Sequence, residues 1–411
     1  MVKEITSLGE LVRNSREQQG LTLHHLQTTL GVNKGVISKL ENGSTKRPEW
    51  KTVMTITNAL HIPMEQVIHC YVEVEERPTM LLDLLEKALH ISHDTALITK
   101  VALAYLESPR QETEEALSAL YQFTNDIEDQ ETRLLLYQTM GEYARTRGGP
   151  PFIAKNLVQA YFIKRLDIQR DHETYEQAKE IFHYVDFLNN EEQREFYFKL
   201  AIQTYAIKKY EECIALVETG VSIPGEATEL EARAYGTMIN CYFLLGQYSE
   251  TEEHLNSFRK YKHQYDVVDE TINMTYALIK VKQKEYDTGI PMLERCYKEI
   301  RPNQKINVII DLFPVYIELN DLTSIQQLIL KENEFLPKKP VSHQYKALGK
   351  YYLYKGQFEL NQGRLDNAME CYNQSVEAFT HVGAQEELTA AYVHIMSSSI
   401  TNILLFPQKF K

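Results

Sequence analysis

The segment of residues 20–43, GLTLHHLQTTLGVNKGVISKLENG, constrains the fold more than any other part of this chain. Its first half places three leucines at the spacing of one helix face, Leu23, Leu26 and Leu30. Thr22 is a typical N-cap for this helix, and Gly31 suits its end because glycine adopts a left-handed conformation without strain. Asn33 can then cap a second short helix. The sequence therefore predicts two short helices joined by a glycine-centred turn.

The second helix of this pair has an apolar side and a polar side. We predict that Val36, Ile37 and Leu40 pack inward. Asn42-Gly43 can end the helix, because both residues tolerate a left-handed conformation. Such a helix can enter the DNA major groove, where its first residues reach the base edges. The candidate DNA-binding residues are Thr22, Asn33, Lys34, Gly35, Ser38, Lys39 and Asn42.

The flanking sequence completes a compact module of five helices. Residues 7–70 resemble the Cro/repressor-type (XRE) DNA-binding domain, and the match is densest between Gly31 and Gly43. Many members of that family carry Gln and Ala where this chain has Leu23 and Gln27. The resemblance implies sequence-specific binding to double-stranded operator DNA. A small helical domain that serves only dimerisation is the alternative.

Charge is distributed unevenly along the chain, whose formal net charge is −13. Residues 1–70 hold eight Lys and Arg against six Asp and Glu, which gives +2. The remaining 341 residues hold 36 against 51, which gives −15. Phosphates repel an acidic surface. We therefore expect the first part to bind DNA and the second part to serve dimerisation, ligand sensing or both.

Composition excludes several classes of protein. No run of ~18 apolar residues occurs, so the sequence predicts no membrane-spanning helix. The first residues, MVKEITSLGELV, lack the apolar core of a signal peptide. The five cysteines lie far apart without a C-x-x-C pair, which favours free thiols in a reducing cytoplasm. Because no phosphate loop, nucleophile elbow or metal-binding helix motif occurs, we expect no enzyme activity, catalytic residue, cofactor or metal.

Residues 79–411 follow a helical period and repeat a short motif. Each copy has a turn residue, a large aromatic or apolar residue two positions later, and another mostly small residue three positions after that. The copies begin at Glu173, Lys208, Gly246, Lys284, Asn320 and Gly363, in steps of 35, 38, 38, 36 and 43 residues. A step near ~34 is that of the tetratricopeptide repeat, a helical hairpin that stacks into an array. A generic helical array is the alternative.

These patterns predict an all-α chain in three parts. Residues 1–70 form the helix-turn-helix domain, 71–78 an acidic linker with a helix-stopping proline, and 79–411 the tetratricopeptide-like repeat domain. An XRE-type domain followed by five or more such repeats in 411 residues resembles the RRNPP group. That group contains the Rgg, Rap, NprR, PlcR and PrgX types of peptide-responsive quorum-sensing regulators, together with phage arbitrium receptors. The length is nearest to that of NprR-like members.

The RRNPP resemblance implies a right-handed superhelix whose concave groove binds a short signalling peptide. It also implies a homodimer in which the peptide changes the spacing of the two DNA-binding domains. Two alternatives stay open. The repeats of an adaptor would bind a protein such as a response regulator, and a phage or mobile-element repressor would be controlled by an antirepressor protein.

Groove-lining residues can be proposed from the repeat geometry, because they recur on the first helix of each hairpin at fixed distances before the turn. The candidate peptide-binding residues are Phe198, Tyr205, Arg233, Asn240, Phe243, Asn307, Lys350 and Gln357. The side-chain amides of Asn240, Asn307 and Gln357 can satisfy the N–H and C=O groups of an extended peptide in pairs. Arg233 or Lys350 can hold a carboxylate.

Overall fold

The computed structural model describes residues 7–91, 94–262 and 265–405. No β-strand occurs in these three stretches, so the predicted all-α class is confirmed. The chain divides into two compact units. The N-terminal unit comprises Met1–Ile163 and Ala178–Leu188, and the C-terminal unit comprises Lys164–Gln177 and Asn189–Lys411.

The first ten helices lie between residues 8 and 164. They are α1 Leu8–Gln18, α2 Leu23–Leu30, α3 Lys34–Glu41, α4 Trp50–Ala59, α5 Met64–Tyr71, α6 Pro78–Ile91, α7 Thr95–Leu106, α8 Thr113–Asn125, α9 Gln130–Arg147 and α10 Pro150–Lys164. A short helix, α11 (Asp171–Ala178), follows. Short 3-10 helices lie at Ile168–Arg170, Lys179–His183, Val185–Phe187, Arg259–Tyr261, Pro302–Gln304 and Ser342–Gln344.

Twelve further helices belong to the C-terminal unit. They are α12 Asn190–Ala206, α13 Tyr210–Ser222, α14 Glu229–Leu244, α15 Tyr248–Phe258, α16 Asp266–Lys282, α17 Tyr286–Glu299, α18 Lys305–Glu318, α19 Leu322–Leu330, α20 Glu332–Phe335, α21 Tyr345–Asn361, α22 Leu365–His381 and α23 Gln385–Leu405. No helix in the described stretches is both long and apolar enough to cross a membrane. The five cysteines are free and buried.

Local capping chemistry forms the helix-turn-helix of α2 and α3 as the sequence predicts. The Thr22 side chain accepts a hydrogen bond from the His25 N–H at 3.1 Å. Gly31 ends α2 with φ at 68°, a conformation that costs glycine little. The Asn33 side chain accepts from the Gly35 N–H at 2.8 Å and begins α3. These caps satisfy backbone groups that the ends of short helices leave without partners.

The segment between α5 and α6 packs against the rest of the N-terminal unit. Pro78 is the first residue of α6, so the expectation that this proline stops a helix is wrong. Proline fits a first helical position because its missing N–H has no partner there. The buried Tyr71 hydroxyl lies 2.9 Å from the Pro48 carbonyl oxygen and 3.0 Å from the Glu75 carboxylate. Burial opposes ionisation of Glu75, but hydrogen bonds from Arg77 hold its pKa at about 2. The predicted linker therefore connects two helices within one unit.

The predicted repeat turns are present in the C-terminal unit. Five of the six predicted turn residues have positive φ: Lys208 at 63°, Gly246 at 75°, Lys284 at 63°, Asn320 at 54° and Gly363 at 74°. In each case the second helix of a hairpin begins two residues later. The third motif positions, Cys213, Thr251, Gly289, Ile325 and Ala368, are all buried. The prediction of a turn at Glu173 is wrong, because this residue lies inside α11.

The hairpins stack with their first helices in contact. Helix α12 contacts α14, α14 contacts α16, α16 contacts α18, and α18 contacts α21, whereas consecutive second helices lie farther apart. In a curved stack the closer layer is the inner one, so these five helices form the inner layer. The two ends of the unit also meet: the Gln169 amide donates to the His381 carbonyl at 2.9 Å, and Lys208 pairs with Glu386. We call the space on the inner side of these helices the channel.

Candidate DNA-binding surface and ligand channel

Helix α3 presents a short exposed surface. Lys34, Gly35 and Lys39 are exposed, and Ser38 is partly exposed. Val36 is 45% exposed, so the prediction that it packs inward is wrong. Only Ile37, Leu40 and Glu41 of this helix are buried. An apolar side chain beside two lysines can contact a thymine methyl group, so Val36 joins the candidate DNA-contacting residues.

Buried ionic and close backbone contacts hold α3 against α1. The Arg16 guanidinium forms two hydrogen bonds with the Glu41 carboxylate, at 2.7 and 2.9 Å, and both side chains are largely buried. The pair raises the pKa of Arg16. A Cβ atom at Gly9 would lie 2.6 Å from the Leu40 carbonyl oxygen, so the helices approach as closely as glycine permits. This contact sets the position of α3 on the domain.

Three of the predicted DNA-binding residues also have structural partners. Thr22 and Asn33 are the helix caps described above, and the Asn42 side chain accepts a hydrogen bond from Arg13. A residue that the sequence prediction missed supports the same helix: the Gln27 side-chain oxygen accepts from the Lys34 N–H at 3.2 Å. Gln27 therefore adds a second cap at the N-terminal end of α3, which is the end that would face a nucleic acid.

Three of the five inner helices, α14, α18 and α21, each carry a stripe of residues that are at least partly accessible to solvent. The stripes are Arg233, Thr237 and Asn240 on α14, Asn307, Asp311 and Pro314 on α18, and Lys346, Lys350, Tyr354 and Gln357 on α21. Their members recur three or four residues apart, so each stripe occupies one helix face. The other faces pack against neighbouring helices. These stripes line the channel.

Charges on different inner helices act on one another across the channel. Burial raises the pKa of Asp311 on α18 to about 7, while Lys350 on α21 and Lys282 on α16 oppose this increase. Burial likewise raises the pKa of Tyr205 on α12 and of Tyr354 on α21, and the charge of Asp311 adds to both increases. Four inner helices therefore bring polar groups to one region.

The predicted peptide-binding residues divide into two groups. Phe198 is only 1% exposed and packs beside Gly220, where an added Cβ would lie 2.6 Å from its ring. Phe243 is 9% exposed and packs against Tyr248. Both are core residues between helices, so the prediction that they contact a ligand is wrong. The apolar spacing of a helix cannot distinguish its core face from a groove face when both carry aromatic residues.

The six remaining candidates keep accessible side chains, and two of these are already hydrogen-bonded. The Asn307 amide donates to the Gln304 side-chain oxygen at 2.5 Å, and the Gln357 amide lies 3.0 Å from His394 Nε2. The others are Tyr205, Arg233, Asn240 and Lys350. Asp311 was missed, although it lies four residues after Asn307 and is the single acidic residue in the apolar run VIIDLF.

A separate pocket of about 400 Å³ lies beside the loop from α13 to α14. Its polar side chains already satisfy one another: Arg194 pairs with Glu231, and the Tyr261 hydroxyl donates to the same carboxylate. The Arg194 guanidinium also donates to the Ile223 carbonyl at 2.7 Å. This arrangement anchors a loop and leaves no group that requires a ligand.

Together these features define a protein with a helix-turn-helix domain and an array of helical hairpins that surrounds a polar channel. Residues 7–67 match the family model of the helix-turn-helix domain, which confirms that part of the predicted fold. Over 70 residues the chain is 37% identical to the HTH-type transcriptional repressor RghR of Bacillus subtilis (strain 168). The match covers 17% of this chain and 52% of RghR, so the chain spans about half the length of that curated relative.

The chain is also similar to solved structures, among them the following three. One is PlcR of Bacillus thuringiensis in complex with a peptide and DNA, at 12% identity and a TM-score of 0.31, covering 94% of this chain and 99% of PlcR. A second is phAimR, at 14% identity and a TM-score of 0.43, and the match covers 95% of this chain and 97% of phAimR. The third is the apo form of RapI, at 14% identity and a TM-score of 0.41, and the match covers 83% of this chain and 98% of RapI.

Proposed function

We propose that this protein is a DNA-binding transcriptional regulator whose hairpin array binds a short peptide, and that the peptide changes its affinity for DNA. The observation that carries the proposed DNA binding is the exposed surface of α3. Lys34, Val36 and Lys39 are exposed on this helix, and the helix is capped at its first turn. Lysines supply phosphate or guanine contacts, and a small apolar side chain fits a thymine methyl. The transcriptional repressor RghR, which is similar over 70 residues, supports the same role.

The DNA-binding surface is tested by removing its lysines. Lys34→Ala and Lys39→Ala should each weaken binding to a duplex selected by the wild-type protein by about 1–3 kcal/mol. The measurement is a gel-shift titration at one fixed salt concentration, because affinity for DNA depends on salt. Lys331→Ala, an exposed lysine in the C-terminal unit, is the control and should bind as wild type does. Wild-type affinity in the Lys34→Ala, Lys39→Ala double variant would refute this surface.

We propose a homodimer, because one helix-turn-helix domain reads only a half-site. Helix α23 offers a surface for the dimer interface. Tyr392, Val393 and Met396 lie together on this helix and are 49%, 59% and 66% exposed. An apolar patch of this kind is typical of an interface when it is contiguous.

The dimer is tested with the full chain by light scattering. The wild type should have twice the mass of one chain, and a Val393→Glu, Met396→Glu variant should be monomeric because each charge would be buried without a partner. Leu330→Glu is a matched control, since Leu330 is 84% exposed elsewhere in the same unit. A monomeric wild type at micromolar concentration contradicts the dimer, and a dimeric variant contradicts the assignment to α23.

The channel supports a peptide as the ligand. Asn240 and Asn307 expose amide groups, and each amide can pair with one N–H and one C=O of an extended chain. The channel also has charged groups of both signs, which a peptide with termini and ionisable side chains can match. A ligand that contacts several inner helices at once would favour one curvature of the array over others. The buried free cysteines are consistent with action in a reducing cytoplasm.

A further inference from the structure

Two loops of the N-terminal unit meet at the side chain of Glu76. The Arg47 guanidinium, in the loop after α3, donates a hydrogen bond to the Glu76 carboxylate. The Arg110 guanidinium, in the loop between α7 and α8, lies 3.6 Å from the same carboxylate oxygen. The side chains of Arg47, Arg110 and Glu76 are 50%, 43% and 38% exposed. One carboxylate thus faces two guanidinium groups at the surface, and an excess of positive charge remains there.

Hydrogen bonds hold the α7–α8 loop beside Glu76. The buried Ser108 hydroxyl donates to the Glu76 backbone carbonyl at 2.7 Å, and the Arg110 N–H donates to the Ser108 oxygen at 3.3 Å. The Gln111 side-chain amide donates to the Tyr105 carbonyl at 2.7 Å. The loop backbone is therefore ordered before any ligand binds, so binding through Arg110 needs little further ordering.

The loop that carries Arg47 leaves the helix proposed to contact DNA. The N–H groups of Ser44 and Thr45 donate to the Lys39 carbonyl at 2.9 and 3.4 Å, so the loop is folded against the last turn of α3. Arg47 follows two residues after Thr45. Helix α3 has eight residues and is therefore about 12 Å long, which is close to the width of the major groove. The chain that leaves such a helix comes next to the phosphates that border the groove.

A phosphate matches the two guanidinium groups chemically. Each guanidinium has five N–H donors in a planar fork that fits phosphate oxygens, and a shared carboxylate cannot accept all of them. Arg110 is the single basic residue between Glu107 and Glu112. These two acids repel other phosphates. The α7–α8 loop can therefore supply one phosphate contact, at Arg110.

We propose that Arg110, together with Arg47, binds a phosphate of the DNA backbone beside the bases that α3 contacts. The DNA-binding surface then extends beyond the helix-turn-helix domain to a loop between two later helices. This inference rests on the proposed DNA binding and adds a residue that positions the protein on the duplex. A phosphate contact of this kind fixes register and carries no sequence information.

The salt dependence of DNA affinity tests the contact with the full chain. Gel-shift titrations of a duplex selected by the wild-type protein are made between about 50 and 200 mM salt. In Arg110→Ala the slope of log affinity against log salt should decrease by about 0.9 for each lost phosphate contact. Arg110→Lys keeps the charge and should keep most of the slope. Arg147→Ala, which removes an exposed arginine from α9 of the same unit, is the control and should have the wild-type slope.

Ethylation of single phosphates then locates the contact on the duplex. At least one phosphate whose ethylation weakens binding of the wild type should have no effect on Arg110→Ala. Duplexes with altered bases should lose affinity for this variant by the same factor as the selected duplex, because the contact is not with a base.

The possible outcomes separate the two proposals. If Arg110→Ala keeps the wild-type slope and the wild-type ethylation pattern, the α7–α8 loop does not contact DNA, although DNA binding through α3 stands. An equal decrease of the slope in Arg147→Ala would also overturn the contact, because the effect would then come from net charge alone. If the wild type selects no duplex, the proposed DNA binding is itself wrong.

Discussion

Replacing Arg16 with alanine should destabilise the helix-turn-helix domain by about 3–5 kcal/mol and abolish DNA binding at ordinary protein concentrations. Arg16 donates two hydrogen bonds to Glu41 and a third to the Leu21 carbonyl at 2.8 Å. Without it the buried Glu41 carboxylate keeps only a distant contact to Arg13, 3.9 Å away. An uncompensated buried charge would then lie beneath the C-terminal end of α3.

The sequence offers a probe for this experiment. Trp50 is the single tryptophan of the chain and packs against Tyr71, with ring centroids 4.7 Å apart. Its fluorescence during urea unfolding therefore reports on the helix-turn-helix domain. Arg47→Ala, which breaks an exposed ion pair with Glu76 in the same unit, is the control and should change the midpoint little. Equal shifts in the two variants would show that the Arg16–Glu41 pair does not hold the domain together.

A double variant distinguishes the loss of the ion pair from the loss of packing. Arg16→Met combined with Glu41→Leu removes both charges and keeps similar volumes. Replacing a buried pair by apolar residues is often nearly neutral, so this variant should recover most of the lost stability. If it unfolds as readily as the single variant, the cost arises from packing rather than from an unpaired charge.

Arg194→Met should destabilise the C-terminal unit by about 3–5 kcal/mol. Arg194 on α12 pairs with Glu231 on α14, and both side chains are nearly inaccessible. It also donates to the carbonyl oxygens of Ile223 and Glu226, at 2.7 and 2.9 Å, and so fixes the loop between α13 and α14. Its removal leaves a buried carboxylate with only the Tyr261 hydroxyl as partner and frees two carbonyl groups.

Thermal unfolding by circular dichroism measures this loss, and hydrogen exchange locates it. Amides of residues 223–235 should exchange faster in the variant than in the wild type. Arg301→Met is a matched control, because Arg301 also forms two hydrogen bonds with one glutamate, Glu270, but at the surface. Exposed pairs contribute little, so the control should unfold as the wild type does. A comparable loss in both variants would remove any special role for the buried network.

Local residue chemistry was sufficient to predict the caps of α2 and α3 and five of the six hairpin turns. Thr22 and Asn33 cap helices because their side chains accept backbone N–H bonds from residues only two or three positions away. The turns at Gly246 and Gly363 follow from the tolerance of glycine for positive φ. These effects act over a few residues, so the sequence alone contains them.

The sequence was less successful in predicting which face of a helix a side chain occupies. Val36 and Phe198 were placed on the wrong sides of their helices, because apolar periodicity does not say which apolar residue a neighbouring helix will cover. Glu173 matches the repeat motif but lies within α11, since a three-position motif does not require a turn. In each case the deciding contact comes from a residue distant in sequence.

The order of the helices, the helix-turn-helix domain and the repeat period were therefore determined by the sequence itself, through capping, glycine conformation and apolar spacing. Only the tertiary structure decided that Arg16 and Arg194 are buried against their glutamates. The physical reason is distance along the chain. Electrostatic and packing partners separated by tens of residues are brought together by the stacking of whole helices, which no local pattern encodes.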